Sequence, residues 1–274
     1  MTAMQTVEGR IILITGAAMG MGRLYAERAV REGAAVVILW DINQEELERT
    51  VLALKDSGVR LMPYLVDIGS LDAIVAASAR VRADVGDPEI IINNAGIVRG
   101  KYFWEHSQAD TRLTMEINAL APMYITREFL PAMMASRREC RIVTIASAAA
   151  TVSNPRMSVY CASKWAAVGW SDSLRLELVQ AGHSHVKVTT VCPSYVSTGM
   201  FEGARGPLMT PLMKPDYVVD RVWRAMLTGR PMLMLPWTVT LGKIARGILP
   251  LRAWDWVADH VFGVYHTMDR FRGR

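Results

Sequence analysis

The chain has 274 residues, 51% apolar and 21% charged, with a net charge of +5. That length corresponds to one large domain or two small ones at roughly 100–200 residues per domain, and the apolar fraction excludes a disordered chain. The mild basicity suits an anionic ligand or a membrane surface and does not argue for nucleic acid, while three scattered cysteines, Cys140, Cys161 and Cys192, without a CxxC pair, point to neither a zinc site nor a disulfide framework and fit a reducing, cytoplasmic setting.

Residues 1–10 carry Glu8 and no apolar segment of signal-peptide type. Residues 10–15 read as a strand, followed by a glycine-rich turn and a helix to about Glu32. Residues 34–40 form a second strand and 45–57 a helix. Residues 61–66 form a third strand and 71–82 a helix. Short buried strands at 90–92 and 141–146 flank a long helical pattern over 111–135. A second long helix covers 159–179, and 186–191 is again a strand. Residues 194–215 hold three Gly and three Pro and read as a mobile loop with a short helix. A helix over 216–228 and a last strand over 231–235 follow. This βαβ alternation with apolar strands predicts an α/β protein whose parallel sheet is covered on both faces. The longest charge-free apolar runs fall short of the ~20 residues that span a bilayer, which predicts a soluble or at most peripheral protein.

Thr15-Gly16-Ala17-Ala18-Met19-Gly20-Met21-Gly22 joins the first strand to the first helix. Glycines there let backbone approach a pyrophosphate, and the helix N-terminus offers N–H groups and a positive dipole end. The spacing is GxxxGxG rather than GxGxxG, and alone it also fits a plain turn. Asp41 ends the second strand, 19 residues beyond Gly22. An acid there accepts hydrogen bonds from ribose hydroxyls and repels a 2′-phosphate, which selects NAD over NADP; the alternative is a cap on the next helix. Asp67 either bonds an adenine amino group or turns the chain before Gly69. Asn93-Asn94-Ala95-Gly96 either lets backbone lie against a ligand or forms an ordinary turn.

Ser147 follows the strand 141–146, where its hydroxyl either bonds a carbonyl or alkoxide oxygen or caps a turn. Asn118 sits inside the 111–135 pattern, where Asn is a poor helix former. It either bends the helix or binds water, or it faces solvent. Tyr160 and Lys164 share one helix face at i and i+4. An ammonium beside a phenol lowers the phenol's pKa, which makes tyrosine an acid or base near neutral pH; the alternative is a surface lysine beside a packed tyrosine.

Together these residues resemble the short-chain dehydrogenase/reductase family. Residues 15–22, Asp67, residues 93–96, Asn118, Ser147, Tyr160 with Lys164, and Pro193 with Thr198 stand in family order and spacing over about residues 9–200. The resemblance implies one Rossmann-type, doubly wound parallel sheet of about seven strands flanked by helices, spanning residues 1–274. It implies a substrate-binding loop at 194–216 and a small helical C-terminal extension at 230–274. It implies Tyr160 as proton donor and acceptor, Lys164 as its pKa partner and ribose ligand, Ser147 orienting the substrate oxygen, and Asn118 holding a water in a proton relay. NAD would be held by Gly16, Ala18, Gly20, Met21, Gly22, Asp41, Ile42, Asp67, Ile68, Asn94, Ala95, Gly96, Tyr160, Lys164, Pro193, Val196 and Thr198, with Thr198 at the nicotinamide carboxamide. No metal is implied. Two positions depart from the family pattern: Ser194 stands where Gly is usual, and Cys161 where Ser is common. The ending 266–274 is similar to tails in branches that act on retinoid-like and other lipophilic alcohols.

Substrate-facing positions are expected at Ser147, Ala148, Ala149, Ala150, Tyr195, Met200, Phe201 and Met209, with Phe103 and Trp104 approaching from the loop after Gly96. No arginine is placed to clamp a carboxylate. The expected substrate is a bulky hydrophobic secondary alcohol or ketone, or a lipophilic alcohol or aldehyde; the alternative is that these side chains only pack the core. Residues 230–274 carry seven Lys/Arg, three Asp, and Trp237, Trp254 and Trp256. They read either as an amphipathic segment in peripheral contact with membrane or as a lid or subunit contact. The family implies a homo-oligomer, dimer or tetramer. The competing functions are an NADPH-dependent ketoacyl reductase, against which Asp41 stands, and a non-catalytic nucleotide-binding scaffold, against which the complete Ser147, Tyr160 and Lys164 set stands.

Overall fold

The structure is a computed structural model and describes residues 4–273. Seven strands, β1 (Ile11–Thr15), β2 (Val36–Asp41), β3 (Arg60–Leu65), β4 (Ile90–Asn93), β5 (Cys140–Ile145), β6 (Val186–Pro193) and β7 (Met232–Leu235), form one parallel sheet in the order β3-β2-β1-β4-β5-β6-β7. Nine helices are described: α1 (Gly20–Arg31), α2 (Gln44–Leu54), α3 (Leu71–Asp84), α4 (Gln108–Met115), α5 (Ala121–Ala135), α6 (Ser158–Gln180), α7 (Pro215–Thr228), α8 (Trp237–Ile248) and α9 (Leu251–Trp256).

The strands read as nearly unbroken apolar runs because helices cover both faces. Along β2, Val37 and Leu39 join the core under α1, α2 and α7, while Ile38 and Trp40 join the core under α3, α5 and α6. The strand order reverses between β1 and β4. A crevice forms outside the carboxyl ends of the strands at such a switch point, and the glycine turn and residues 93–96 both lie there.

The expected 111–135 helix is two helices joined by a wide turn. A π-type turn, Glu116–Leu120, separates α4 from α5, and the Ala121 N–H reaches back to the Glu116 carbonyl. Pro122 has no N–H to give the Asn118 carbonyl, so the regular ladder is interrupted at Asn118. The short helix expected within 194–215 is absent. Gly199, Gly203, Gly206, Pro207 and Pro211 oppose it, and Gly203 sits at φ +81°. Nor is this loop loose. The Arg205 N–H donates to the Thr267 carbonyl at 3.0 Å, the Leu208 N–H to Phe262 at 2.8 Å, and the Arg272 N–H to the Glu202 carbonyl at 2.9 Å. The C-terminal extension therefore straps the loop. It also has a small core of its own, in which Trp254, Ala258 and Val264 pack with Val152 and Phe262. Among the described residues no helix is long and apolar enough to cross a membrane.

Candidate active site

The Thr15 hydroxyl at the end of β1 accepts the N–H groups of Asn94 and Ala95, both at 3.1 Å, and the Asn94 amide donates to the Thr15 carbonyl at 2.9 Å. The glycine turn and residues 93–96 are locked together by these bonds. Gly16 turns in the left-handed region at φ +64°, and a Cβ on Gly22 would lie 1.8 Å from the Gly16 carbonyl oxygen. The side chain of Met19, the residue before α1, does not cap the helix. Its first residues, Gly20 and Met21, line a cavity of about 410 Å³ together with Gly16, Asp41, Ile42, Asp67, Ile68, Asn94, Ala95, Gly96 and Thr198.

This cavity fits a dinucleotide. The N-terminus of a three-turn helix attracts a phosphate, and the buried Asn94 Oδ1 has no partner among the described residues. Asp41 accepts the Ala18 N–H at 2.9 Å and the Asn43 N–H at 3.0 Å. These bonds fix the carboxylate and leave further lone pairs for ribose hydroxyls. The capping alternative for Asp41 falls, because Asn43 caps α2 through the Glu46 N–H at 3.1 Å. Asp67 both lines the cavity and turns the chain, accepting the Gly69 N–H at 2.9 Å.

Six of the expected cofactor residues, Ala18, Gly22, Tyr160, Lys164, Pro193 and Val196, do not line this cavity. Ala18 is fully buried with its N–H given to Asp41. Gly22 serves the packing of α1 on the turn, where no Cβ fits. Pro193 pairs with Leu235 in the sheet, and Val196 is buried in the core, bridged to Met213.

A second cavity, of about 430 Å³, is lined by Ser147, Ala148, Ala149, Tyr195, Phe201 and Met209 from the expected set. Further walls come from residues 151–157 and 207–210 and from α8 and the C-terminal extension, among them Trp237, Leu241, Ile244, Trp254 and Phe262. None of its lining side chains carries a charge. Met200 lines the dinucleotide cavity instead. Ala150 is buried away from both. Phe103 and Trp104 are exposed, the latter stacked on Tyr102 at 4.8 Å, and neither lines a cavity. Ser194, despite replacing the expected glycine, needs no left-handed backbone; its N–H donates to Leu235 at 2.7 Å.

Tyr160 and Lys164 stand on α6, both almost completely buried. Tyr160 clusters with Val98 of the first cavity and with Ala149 and Tyr195 of the second, with Phe201 edge-on at 6.0 Å. The expected depression of its pKa is not found. Burial raises it above the ordinary phenol value, against a smaller lowering by the Ser147 hydroxyl. Burial likewise lowers Lys164 to about 8. The Lys164 ammonium donates to the Ile145 carbonyl at 2.9 Å and lies 5.8 Å from the Tyr160 ring centre, so desolvation outweighs its attraction for a phenolate. Ser147 caps the turn Ala148–Ala150 by accepting the Ala149 N–H at 3.1 Å, which leaves its own proton to give to Tyr160 or to a ligand.

Asn118 is buried, not solvent-facing. Its Oδ1 accepts the Ile97 N–H at 2.8 Å, and its Nδ2 donates to the Ile97 carbonyl at 2.8 Å and to Ser163 Oγ at 3.1 Å. Both donors are used within the protein, so one Oδ1 lone pair remains for a water. Ser163 in turn donates to the Tyr160 carbonyl at 2.7 Å. A Cβ on Gly96 would meet Asn118 Oδ1 at 3.1 Å and Lys164 Nζ at 3.4 Å, so these three residues converge.

A polar knot not foreseen in the sequence ties the wall of the second cavity to the C-terminal extension. The Tyr195 hydroxyl donates to Thr267 Oγ1 at 2.8 Å, and Asn154 donates to both, at 3.3 and 3.0 Å. Thr267 is 72 residues from Tyr195, and no local pattern signals the pairing.

Comparison with known proteins bears on this site. The profile of the short chain dehydrogenase family matches residues 10–207. Epidermal retinol dehydrogenase 2 of Mus musculus is 34% identical over 273 residues, covering 98% of this chain and 87% of that protein. Estradiol 17-beta-dehydrogenase 11 of Pongo abelii is 38% identical over 248 residues, covering 90% and 82%. The crystal structure of a short chain dehydrogenase/reductase from Burkholderia phymatum in complex with NAD is 25% identical, with a TM-score of 0.81 over 89% of this chain and 95% of that one.

Proposed function

Because this chain belongs to the short-chain dehydrogenase family and is an oxidoreductase, we propose that it uses NAD(H) to interconvert a bulky lipophilic secondary alcohol and its ketone, or a lipophilic alcohol and its aldehyde. The observation that carries the substrate class is the second cavity, which has Ser147 in its wall and no charged side chain in its lining. A carboxylate taken into such walls loses its hydration without a partner. The two relatives, named as a retinol and an estradiol dehydrogenase, agree with that class.

The dinucleotide would be held by the glycine turn, with Asp41 at the ribose and Asp67, Ile42 and Ile68 at the adenine. When bound, it supplies or accepts the hydride. The protein handles the proton. Tyr160 rests as the phenol, because burial raises its pKa; it gives that proton to the substrate oxygen in the reducing direction, and in the oxidising direction it first releases the proton through the relay water and then, as the phenolate, takes the proton of the alcohol. Ser147, with one lone pair taken by the Ala149 N–H, donates its proton to the same substrate oxygen and orients it. Lys164 stabilises the phenolate that forms and contacts the ribose. Asn118 positions this set by holding Ile97 on one side and Ser163 on the other, and its last lone pair takes the relay water. Asp41 makes the site prefer NAD, since a 2′-phosphate would meet a carboxylate fixed by two backbone N–H groups.

The C-terminal extension supplies the outer wall of the substrate cavity, and its outward face is a contact surface at the membrane. Self-association through the exposed Trp165, Leu176 and Val179 of α6 completes the proposal.

Initial rates at 340 nm with a homologous series of neutral ketones and alcohols test it. The specificity constant should rise by about fourfold per added methylene, from ~0.8 kcal/mol each, until the cavity is filled. Carboxylate-bearing analogues should be slower by about a hundredfold or more. A preference for small acidic substrates would overturn the substrate class, and tighter binding of NADPH than NADH would overturn the cofactor.

A further inference from the structure

The mouth of the second cavity is a cluster of exposed apolar side chains. Leu208, Met209, Trp237, Leu241 and Ile244 line the cavity and remain 50–63% exposed. On α8, Trp237, Leu241, Ile244 and Ile248 recur at intervals of four, three and four residues, which sets them along one face. The stripe runs past the cavity, through Ile248 at 76% exposure, to Leu251 at 65% on α9. Of the 21 large apolar side chains left exposed among the described residues, nine fall within 208–212 and 237–256. A contiguous apolar surface of this kind marks an interaction site.

Charge identifies the partner. Residues 203–215 and 230–256 contain Arg205, Lys214, Arg230, Lys243, Arg246 and Arg252 against one acid, Asp255, which accepts the Tyr265 hydroxyl at 2.6 Å. An apolar stripe set among cations complements an anionic lipid surface, with side chains entering the acyl boundary and cations meeting headgroups. A second copy of the chain fits poorly, because a two-fold contact would face these cations with the same cations.

We propose that this face docks on an anionic membrane with the cavity mouth against the lipid, so that a lipophilic substrate passes between bilayer and cavity without crossing water. The docking stands on the surface alone; the passage of substrate rests on the functional reading above.

Co-sedimentation of the full chain with phosphatidylcholine vesicles, with and without phosphatidylserine, tests the docking. Two double variants accompany it: Ile248→Glu with Leu251→Glu, neither of which lines the cavity, and Lys243→Ala with Arg252→Ala. The chain should bind the phosphatidylserine vesicles. Binding should weaken at least tenfold in the Glu variant, and about thirtyfold in the Ala variant at ~1 kcal/mol per cation. Both variants should keep the parent's melting temperature and its turnover of a short, water-soluble alcohol. Failure of the parent chain to bind, or binding unchanged in the Ala variant, would overturn the proposal. A dimer that dissociates in the Glu variant, without vesicle binding by the parent, would assign the face to a second copy. Vesicle binding by a chain that turns over no alcohol would support docking while removing the functional reading.

Discussion

Replacing Asn118 by Ala removes three hydrogen bonds from a side chain that is 1% exposed. Ser163 keeps its bond to the Tyr160 carbonyl, so the main losses are at Ile97, whose N–H and carbonyl both lose their side-chain partner. A buried backbone group left unpaired costs about 1–3 kcal/mol. Ile97 is only half-buried, and water can reach part of it. Two groups at the low end, plus the lost side-chain packing, give about 3 kcal/mol. Against a total stability of about 5–15 kcal/mol this is large. At ~2–4 °C per kcal/mol for a chain of this size, the melting temperature should fall by about 6–12 °C, measured by calorimetry or intrinsic fluorescence. Asn118→Asp keeps the acceptor for the Ile97 N–H but sets an oxygen against the Ile97 carbonyl, so it should be no more stable than the Ala variant. Both should also lose turnover at 25 °C, because Ile97 and Ser163 link the loop after β4 to the turn carrying Tyr160. A fall of less than about 2 °C, or an Asp variant as stable as the parent, would refute the reasoning.

Three further outcomes are expected. Lys164 has a folded pKa of about 8 against 10.5 ordinarily, so the unfolded chain binds more protons between those values and stability from this group rises with pH there. The cost of burying the ammonium is fully present below pH 8 and relieved above about 10.5; Lys164→Met should therefore gain most over the parent below pH 8 and lose that advantage by pH 10, as read from melting curves, and an advantage that grows with pH would contradict the sign. Thr267→Val should lower stability by about 1–2 kcal/mol through the lost Tyr195 and Asn154 bonds and raise KM for a lipophilic substrate more than for a short one; equal KM changes would show that the knot does not shape the cavity. Asp41→Ser should shift the ratio of NADP to NAD affinity by roughly tenfold or more toward NADP, since juxtaposed like charges cost several kcal/mol, and an unchanged ratio in a titration would remove Asp41 from cofactor choice.

The sheet was legible because its strands are buried on both faces and so appear as apolar runs of strand length between turn residues. The one long helix that was misjudged, over 111–135, hides its break: Asn118 and Pro122 are four residues apart, and neither alone stops an apolar pattern. The glycine turn was legible as a turn, but not the division of labour within it. Only geometry distinguishes Gly16, which lines the cavity, from Gly22, which accommodates the Gly16 carbonyl. The Tyr160–Lys164 spacing places both side chains on one helix, but it does not carry the sign of the phenol's shift, because burial is a property of the packed chain and not of the motif. The cavity wall from α8, and the Thr267 knot, depend on contacts across 70 or more residues, which a local pattern does not encode.

The most direct measurement is turnover and dinucleotide titration of Tyr160→Phe beside the parent, using the best neutral lipophilic alcohol or ketone. Loss of the phenolic proton should reduce kcat by about 10²–10⁴ while the dinucleotide binds as before, because the first cavity does not depend on that hydroxyl. Turnover equal to the parent's would contradict Tyr160 as the proton carrier and, with it, the reading of both cavities as one active site.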